Sequence, residues 1–279
     1  MEKFGFENVR LESIMVPHWK RGKEQAYILD GIKKLPLTVC ALGGSIATPH
    51  NGIIAEVVEV KSKEELQKLG DAAQGKIIFF NQPMDKKKIT TFEAYGNAVW
   101  QRWAGAMEAA KLGAVAAIVR SMTTRLDDVP HTGSMGYEDT IPKVPAAAIS
   151  TVDANSLSAQ LIKNPRSKIQ LILTCETLPE VPSANVVGEI TGSEKPNEII
   201  VIGGHLDSWD KGHGAHDDGA GIAHTLEALR LLKECGIRPK RTIRAVLFMN
   251  EENGGRGGKG YAEKVRTSEN HLAAIETDS

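Results

Sequence analysis

The stretch "EIIVIGGHLDSWDKGHGAHDDGAGIAHTLEALRLLKECG", residues 198–236, passes from a continuously apolar run through a glycine-rich loop into an amphipathic helical pattern. A strand apolar on both faces, followed by such a helix, is the unit of a parallel sheet that is covered on both sides. The pattern repeats downstream, with "TIRAVLFMN" (242–250) as a second apolar strand, "EENGGRGG" as a loop, "KGYAEKVRTS" (259–268) as a helix and "HLAAIETDS" (271–279) as a third strand. The spacing predicts an α/β fold, a mostly parallel sheet with helices on both faces. The loop at 203–221 also concentrates three His and four Asp among its glycines.

Working toward the N-terminus, "LPEVPSANVVGEITGS" (178–193) is punctuated by Pro and Ser and reads as a connection between domains. Before it, residues 36–178 form a self-contained α/β or β-rich unit. Its strands are "IIAEVVEV", "GKIIFFNQP", "AVAAIVRS", "VPAAAIST" and "KIQLILTCET". Its helices are "SKEELQKLGDAAQ", with Ser62 as cap and Glu65 three residues on, "YGNAVWQRWAGAMEAAKLG" and "VDANSLSAQLIKN". Residues 8–29 alternate apolar and polar side chains, which predicts a hairpin with "KRGKE" as its turn. The opening "MEKFGF" reads as a helix stop with Gly5 in the left-handed conformation.

Bulk composition excludes several classes of function. Lys plus Arg (34) nearly cancel Asp plus Glu (35), so no global field gathers nucleic acid or anionic lipid. Cys40, Cys175 and Cys235 form no CxxC pair and are odd in number, which argues against a disulfide framework and excludes a cysteine-rich metal site. No apolar run approaches the ~20 residues that span a bilayer, and the N-terminus carries no signal-peptide core.

The chemistry lies at the strand ends. His205 and Asp207 follow the first strand, Asp217 and Asp218 precede the helix, Glu251 and Glu252 follow the second strand, and Asp278 ends the third. In an open parallel sheet the carboxyl ends of the strands share one crevice, so these groups are expected to converge. Six carboxylates and one imidazole in one crevice repel one another and raise each other's pKa unless cations neutralise them. One imidazole with several oxygens and no thiolate suits zinc or a comparable divalent ion, and the number of carboxylates suits two ions about 3.5–4 Å apart. Such a pair implies hydrolytic chemistry. The glycines of the loop allow sharp turns and a close approach of backbone to the ions.

"GGHLDSWDKGHGAHDDGAG", "NEENGG" and "ETDS", in this order and spacing, resemble the co-catalytic zinc exopeptidases of the aminopeptidase type. "NVRLESIMVPHWKRGKE", "GKIIFFNQP", "PHTG" and "RPKRTIRAVLF" extend the likeness to a carboxypeptidase branch of that family and to nearly the whole chain. The resemblance implies two zinc ions: His205 and Asp278 on one, Asp217 bridging, Glu252 on the other. It implies Glu251 as general base, Asp207 orienting His205, and a cis peptide between Asp217 and Asp218. It also implies that residues 36–178 are an inserted protease-associated domain roofing the site, with His131, Thr132 and Gly133 facing substrate. Residues 1–35 and 179–279 would then form the peptidase domain.

The family pattern also includes a later His that the 279 residues do not contain. The expectation is therefore a chain truncated at both ends, with an apolar sheet edge and reduced or no activity. A peptide substrate and a second copy of the chain, as a homodimer, are the partners expected; nucleic acid and membrane are not. The resemblance places relatives in secreted, periplasmic or lysosomal compartments. The alternative functions are a catalytically inactive relative that serves as a binding or receptor module, and a non-peptidase amidohydrolase. His213, His216 and His224 lie off the pattern and are read as solvent-facing or structural, as are His18 and His50, the "KKK" run at 86–88 and the Trp100 and Trp103 pair.

Overall fold

The structure, a computed structural model, describes residues 1–265 and 268–278. A short helical turn at Glu2–Phe4 ends on Gly5, whose φ of 70° gives the left-handed stop expected of "MEKFGF". The elements then run β1 (Glu7–Lys20), β2 (Glu24–Asp30), β3 (Lys33–Leu37), β4 (Val39–Ala41), β5 (Ile53–Val60), α1 (Lys63–Leu69), β6 (Ile77–Phe80), α2 (Thr91–Ala98), α3 (Trp100–Trp103) and α4 (Gly105–Lys111). They continue with β7 (Ala116–Arg120), β8 (Ala146–Ile149), α5 (Thr151–Lys163), β9 (Lys168–Leu173), β10 (Glu176–Ile190), β11 (Lys195–His205), α6 (Gly219–Glu234), β12 (Arg241–Phe248), α7 (Arg256–Val265) and β13 (Asn270–Glu276). The end of the helix expected at 259–268 falls partly on residues 266 and 267, outside those described. No helix among the described residues is long and apolar enough to cross a membrane.

The chain divides into two compact units, residues 1–18 with 179–279, and residues 19–178. In the first, the sheet order is β1-β10-β12-β11-β13. β11 runs parallel to both β12 and β13, with His205 level with Phe248 and Gly203 level with Glu276, so three carboxyl ends reach one rim. Successive β12 residues face opposite sides. Ala245 packs with Leu229 of α6, while Val246 packs with Tyr261 and Val265 of α7, so one helix covers each face.

In the second unit the order is β3-β2-β9-β5-β6-β7-β8-β4, with β5 to β8 mutually parallel. Alternation again supplies two cores. Ile78 and Phe80 face α1, α2 and α4, and Ile77 and Phe79 face Leu157 and Leu161 of α5. Each of these fully buried side chains contributes roughly 1.5–3 kcal/mol. Ser62 caps α1 by accepting the Glu65 N–H at 3.2 Å, while the Glu65 carboxylate reaches back to the N–H of Lys61 rather than to that of Ser62.

Four expectations are corrected. The alternation at 8–29 does mark two strands, but they do not form a hairpin: β1 joins β10, whereas β2 pairs with β3 and β9. That pairing draws residues 19–35 into the second unit, so the boundary falls after His18 rather than after residue 35. The stretch at 178–193 does hold the boundary between the units, at Leu178 and Pro179, but it is mostly the strand β10 rather than a loop: Val186 to Ile190 pair antiparallel with β12, and the prolines fall in the more exposed first half. The helix expected at 95–113 begins at Thr91 and is broken into three at Val99 and Ala104, where Gly105 lets the Phe80 ring approach the backbone.

Candidate metal centre

The rim of the first sheet is assembled by backbone close approaches that only glycine permits. A Cβ on Gly204 would overlap the Asp218 carboxylate, and one on Gly221 would overlap the Thr277 carbonyl. Asp218, joined to Asp217 by a cis peptide, is buried and caps α6: its Oδ1 accepts the Gly221 N–H at 3.0 Å and its Oδ2 accepts the His205 N–H at 2.8 Å. Thr277 donates its N–H to the Gly203 carbonyl at 3.0 Å. The ends of β11, β13 and α6 are thereby fixed to one another.

On this frame His205 is 1% exposed. Its Nδ1 donates to the Asp207 carbonyl oxygen at 2.8 Å, which leaves Nε2 as the lone-pair nitrogen of the neutral ring. Nε2 stands 3.0 Å from Asp217 Oδ1 and 3.6 Å from Asp278 Oδ1. One ligand atom from each of His205, Asp217 and Asp278 lies within 4.8 Å of the others. A lone pair facing two carboxylate oxygens at such distances is repulsive unless a positive particle sits among them.

The orienting atom differs from the one the resemblance implied. The Asp207 carboxylate is 3.8 Å from Nδ1 and instead accepts the N–H groups of Glu251 and Glu252, at 2.9 and 3.2 Å. It fixes the turn after β12. That turn also uses Asn250 at φ 68°, a left-handed position that Asn tolerates, and Asn185, whose Oδ1 accepts the Met249 N–H at 2.9 Å.

Electrostatics record the crowding. Burial, then the charges of Asp217 and Glu251, push the Glu252 carboxyl up to about 7. Burial, with Asp278 and Asp207 nearby, also raises Glu251, and burial with Asp278 and Asp218 raises Asp217. Burial works against a charged His205, yet the Asp207 carbonyl and the carboxylates of Asp207, Glu251 and Asp217 outweigh it and lift the imidazole above its ordinary value. An imidazole with carboxylate oxygens and no thiolate, its second ring nitrogen held by a carbonyl, fits a zinc ion.

Of the residues singled out from sequence, His205, Asp217 and Asp278 meet as one group, with Glu251 and Glu252 near enough to feel their charges. Glu252 is outside the three-residue group. His213, His216 and His224 are exposed and are not members of it. His131 belongs to the second unit, where its N–H donates to Ser121 Oγ at 2.8 Å and burial lowers its pKa. Its neighbour Gly133, at φ 151°, packs against the Arg102 guanidinium. One residue was missed. Burial and then Asp278 raise the carboxyl of Glu276, which lines, with Glu251, Phe248 and Tyr261, a cavity of about 580 Å³ between α7 and β13. The signal was present in "ETDS", because residues two apart on a strand share a side.

The chain is similar to known proteins in sequence and fold. The profile of peptidase family M28 matches residues 185–279. Carboxypeptidase Q of Homo sapiens is 43% identical over 282 residues, an alignment covering 100% of this chain and 57% of that protein. A peptidase M28 precursor from Shewanella amazonensis SB2B superposes with a TM-score of 0.94 at 41% identity, over 99% of this chain and 62% of the other. A zinc aminopeptidase from Bacillus subtilis shares the fold, with a TM-score of 0.69 at 20% identity, over 100% of this chain and 60% of the other. The chain thus spans little more than half the length of the curated relatives it matches.

Proposed function

The chain belongs to peptidase family M28 through residues 185–279, and from that premise we propose that it is a zinc-dependent exopeptidase that hydrolyses dipeptides or short peptides. The observation that carries the reading is the convergence of His205 Nε2 on Asp217 Oδ1 and Asp278 Oδ1 at 3.0 and 3.6 Å. His205, Asp217 and Asp278 would hold one zinc ion, and Asp217 with Glu252 would offer donors to a second. When bound, zinc supplies Lewis acidity toward a peptide carbonyl and toward water.

The chain's own groups do the rest. Glu251, its carboxyl raised by burial toward the working pH, accepts the proton of the attacking water and delivers it to the leaving amine. Asp207 keeps Glu251 in place through the backbone N–H at 2.9 Å. The His205 tautomer is set by the Asp207 carbonyl, which leaves Nε2 free to ligate. Of the assigned side chains, three would serve the first ion and two, Asp217 and Glu252, the second. Turnover by this chain is accordingly expected to be low. Residues 36–178, with the corrected start near Trp19, would correspond to a protease-associated insert, and His131 to a substrate contact.

The test is zinc content together with dipeptide hydrolysis in three proteins. Glu251→Gln is expected to keep its zinc and lose about 10²- to 10⁴-fold in rate. Asp217→Asn is expected to lose zinc as well. Full zinc occupancy with no hydrolysis above that of Glu251→Gln, or unaltered zinc binding in Asp217→Asn, would overturn the proposal.

A further inference from the structure

The second unit has a crevice of its own at the carboxyl ends of parallel strands. A cleft of about 410 Å³ is lined by Lys61 after β5, Asn81 and Pro83 after β6, Arg120 at the end of β7, and Asn155, Ser158, Ala159 and Ile162 of α5. The α5 residues recur at helical spacing, so a single face of that helix forms one wall. The carboxyl edge of a parallel sheet beneath a helix is where open α/β folds seat ligands.

Arg120 is the group the fold leaves unfinished. Its Nη1 donates to the amide oxygens of Asn81 and Asn155, at 3.2 and 2.8 Å. Both acceptors are neutral. No carboxylate among the described residues lies within 4 Å of the guanidinium, and its buried Nε has no hydrogen-bond partner among them. Burial is the cause that lowers the Arg120 pKa, as expected of a cation set against amides without a counterion. Glu59, which shares Asn81 with Arg120, is already engaged: it accepts from Asn81 Nδ2 at 2.6 Å and from Ser158 Oγ at 2.9 Å, and it lies 3.5 Å from Lys61 Nζ. Arg120 and Lys61 together outweigh it by one positive charge. Asn81, 6% exposed, is a rigid buried post that fixes the guanidinium plane.

We propose that this cleft binds a small molecule through an oxyanion group, a carboxylate or a phosphate, with Arg120 as its counterion and Lys61 at its mouth. A planar guanidinium whose Nη1 is anchored on two amides can present its two Nη2 donors to such a group. The site is independent of the metal centre, and its residues all belong to the second unit.

The test is calorimetric titration of the intact chain with inorganic phosphate and, separately, with acetate, at constant ionic strength maintained with chloride. Saturable binding is expected with one or both anions, and the tighter of the two identifies whether the natural ligand bears a phosphate or a carboxylate. Arg120→Gln is expected to weaken it at least about tenfold. Should that variant fold poorly, Asn155→Asp supplies the missing carboxylate beside Arg120; it is expected to raise the melting temperature and abolish anion binding. The proposal is overturned if neither anion binds the unaltered chain up to tens of millimolar, or if both substitutions leave binding unchanged.

Discussion

The Asp207 carboxylate holds the backbone of Glu251, accepting its N–H at 2.9 Å across the ends of two parallel strands. Asp207 thus serves the rim twice, by its carbonyl toward His205 and by its carboxylate toward the turn after β12. Asp207→Ala removes only the second service. Dipeptide hydrolysis is expected to fall by about tenfold or more, whereas zinc affinity should change by less than the 10- to 100-fold usual when a ligand's orienting partner is lost. Parallel zinc titrations and kinetics on one preparation check this.

Gly221 sits where β13 and the start of α6 touch. Its replacement by Ala forces a methyl group into the Thr277 carbonyl and the Asp218 carboxylate. With rigid backbone on one side and a helix cap on the other, neither neighbour can yield without breaking a hydrogen bond. Urea unfolding of Gly221→Ala is expected to show a loss of about 3 kcal/mol or more, well above the ~1 kcal/mol typical of a point substitution.

Arg244, buried on β12, donates to Glu189 Oε1 at 3.2 Å, to the Tyr261 hydroxyl at 2.9 Å and to both carboxylate oxygens of Glu269. Arg244→Met leaves the nearly buried Glu189 with Arg10, at 3.0 Å, in place of two guanidinium partners, takes from Glu269 its guanidinium, and is expected to destabilise by about 3 kcal/mol. Adding Glu189→Gln and Glu269→Gln removes the carboxylate charges that Arg244 balanced and should recover much of that loss. A triple variant no more stable than the single one would rule out this account of the network.

Burial pushes the Cys175 thiol from 9.0 up to about 11, while Cys235 is exposed. Because the native pKa is the higher one, the folded state binds this proton more tightly than the unfolded chain does. The associated stability is complete below about pH 9 and is lost as the pH climbs toward 11, on the order of 3 kcal/mol in all. Cys175→Ala should flatten that part of the pH–stability curve relative to the unaltered chain. In the native state a maleimide is expected to label Cys235 rapidly and Cys175 and Cys40 only on denaturation.

What the sequence made legible follows from which physical signals are local. β11, β12 and β13 stand within three residues of their expected ends, because all three read as apolar runs; β11 and β12 are largely buried, whereas β13, at the sheet edge, is mostly exposed. The start of α6 was visible in "DDGAG" and the resemblance implied Asp217 beside His205, but that Asp218 would turn inward as the helix cap was not visible. The period-two alternation at 8–29 identified strands but not their partners, since pairing is decided by surfaces distant in sequence. The choice between the carbonyl and the carboxylate of Asp207 for the His205 ring is a matter of a few tenths of a turn of backbone, beyond any residue pattern.

Strands β1 and β10 are neighbours in the first sheet, and residues 19–178 depart from one and return at the other. A cassette spliced between adjacent strands imposes almost no closure penalty on its host, however long it is. Exchanging it for a short turn would preserve the host's strand order, and the whole acidic rim, from His205 to Asp278, would remain on one uninterrupted stretch of polypeptide.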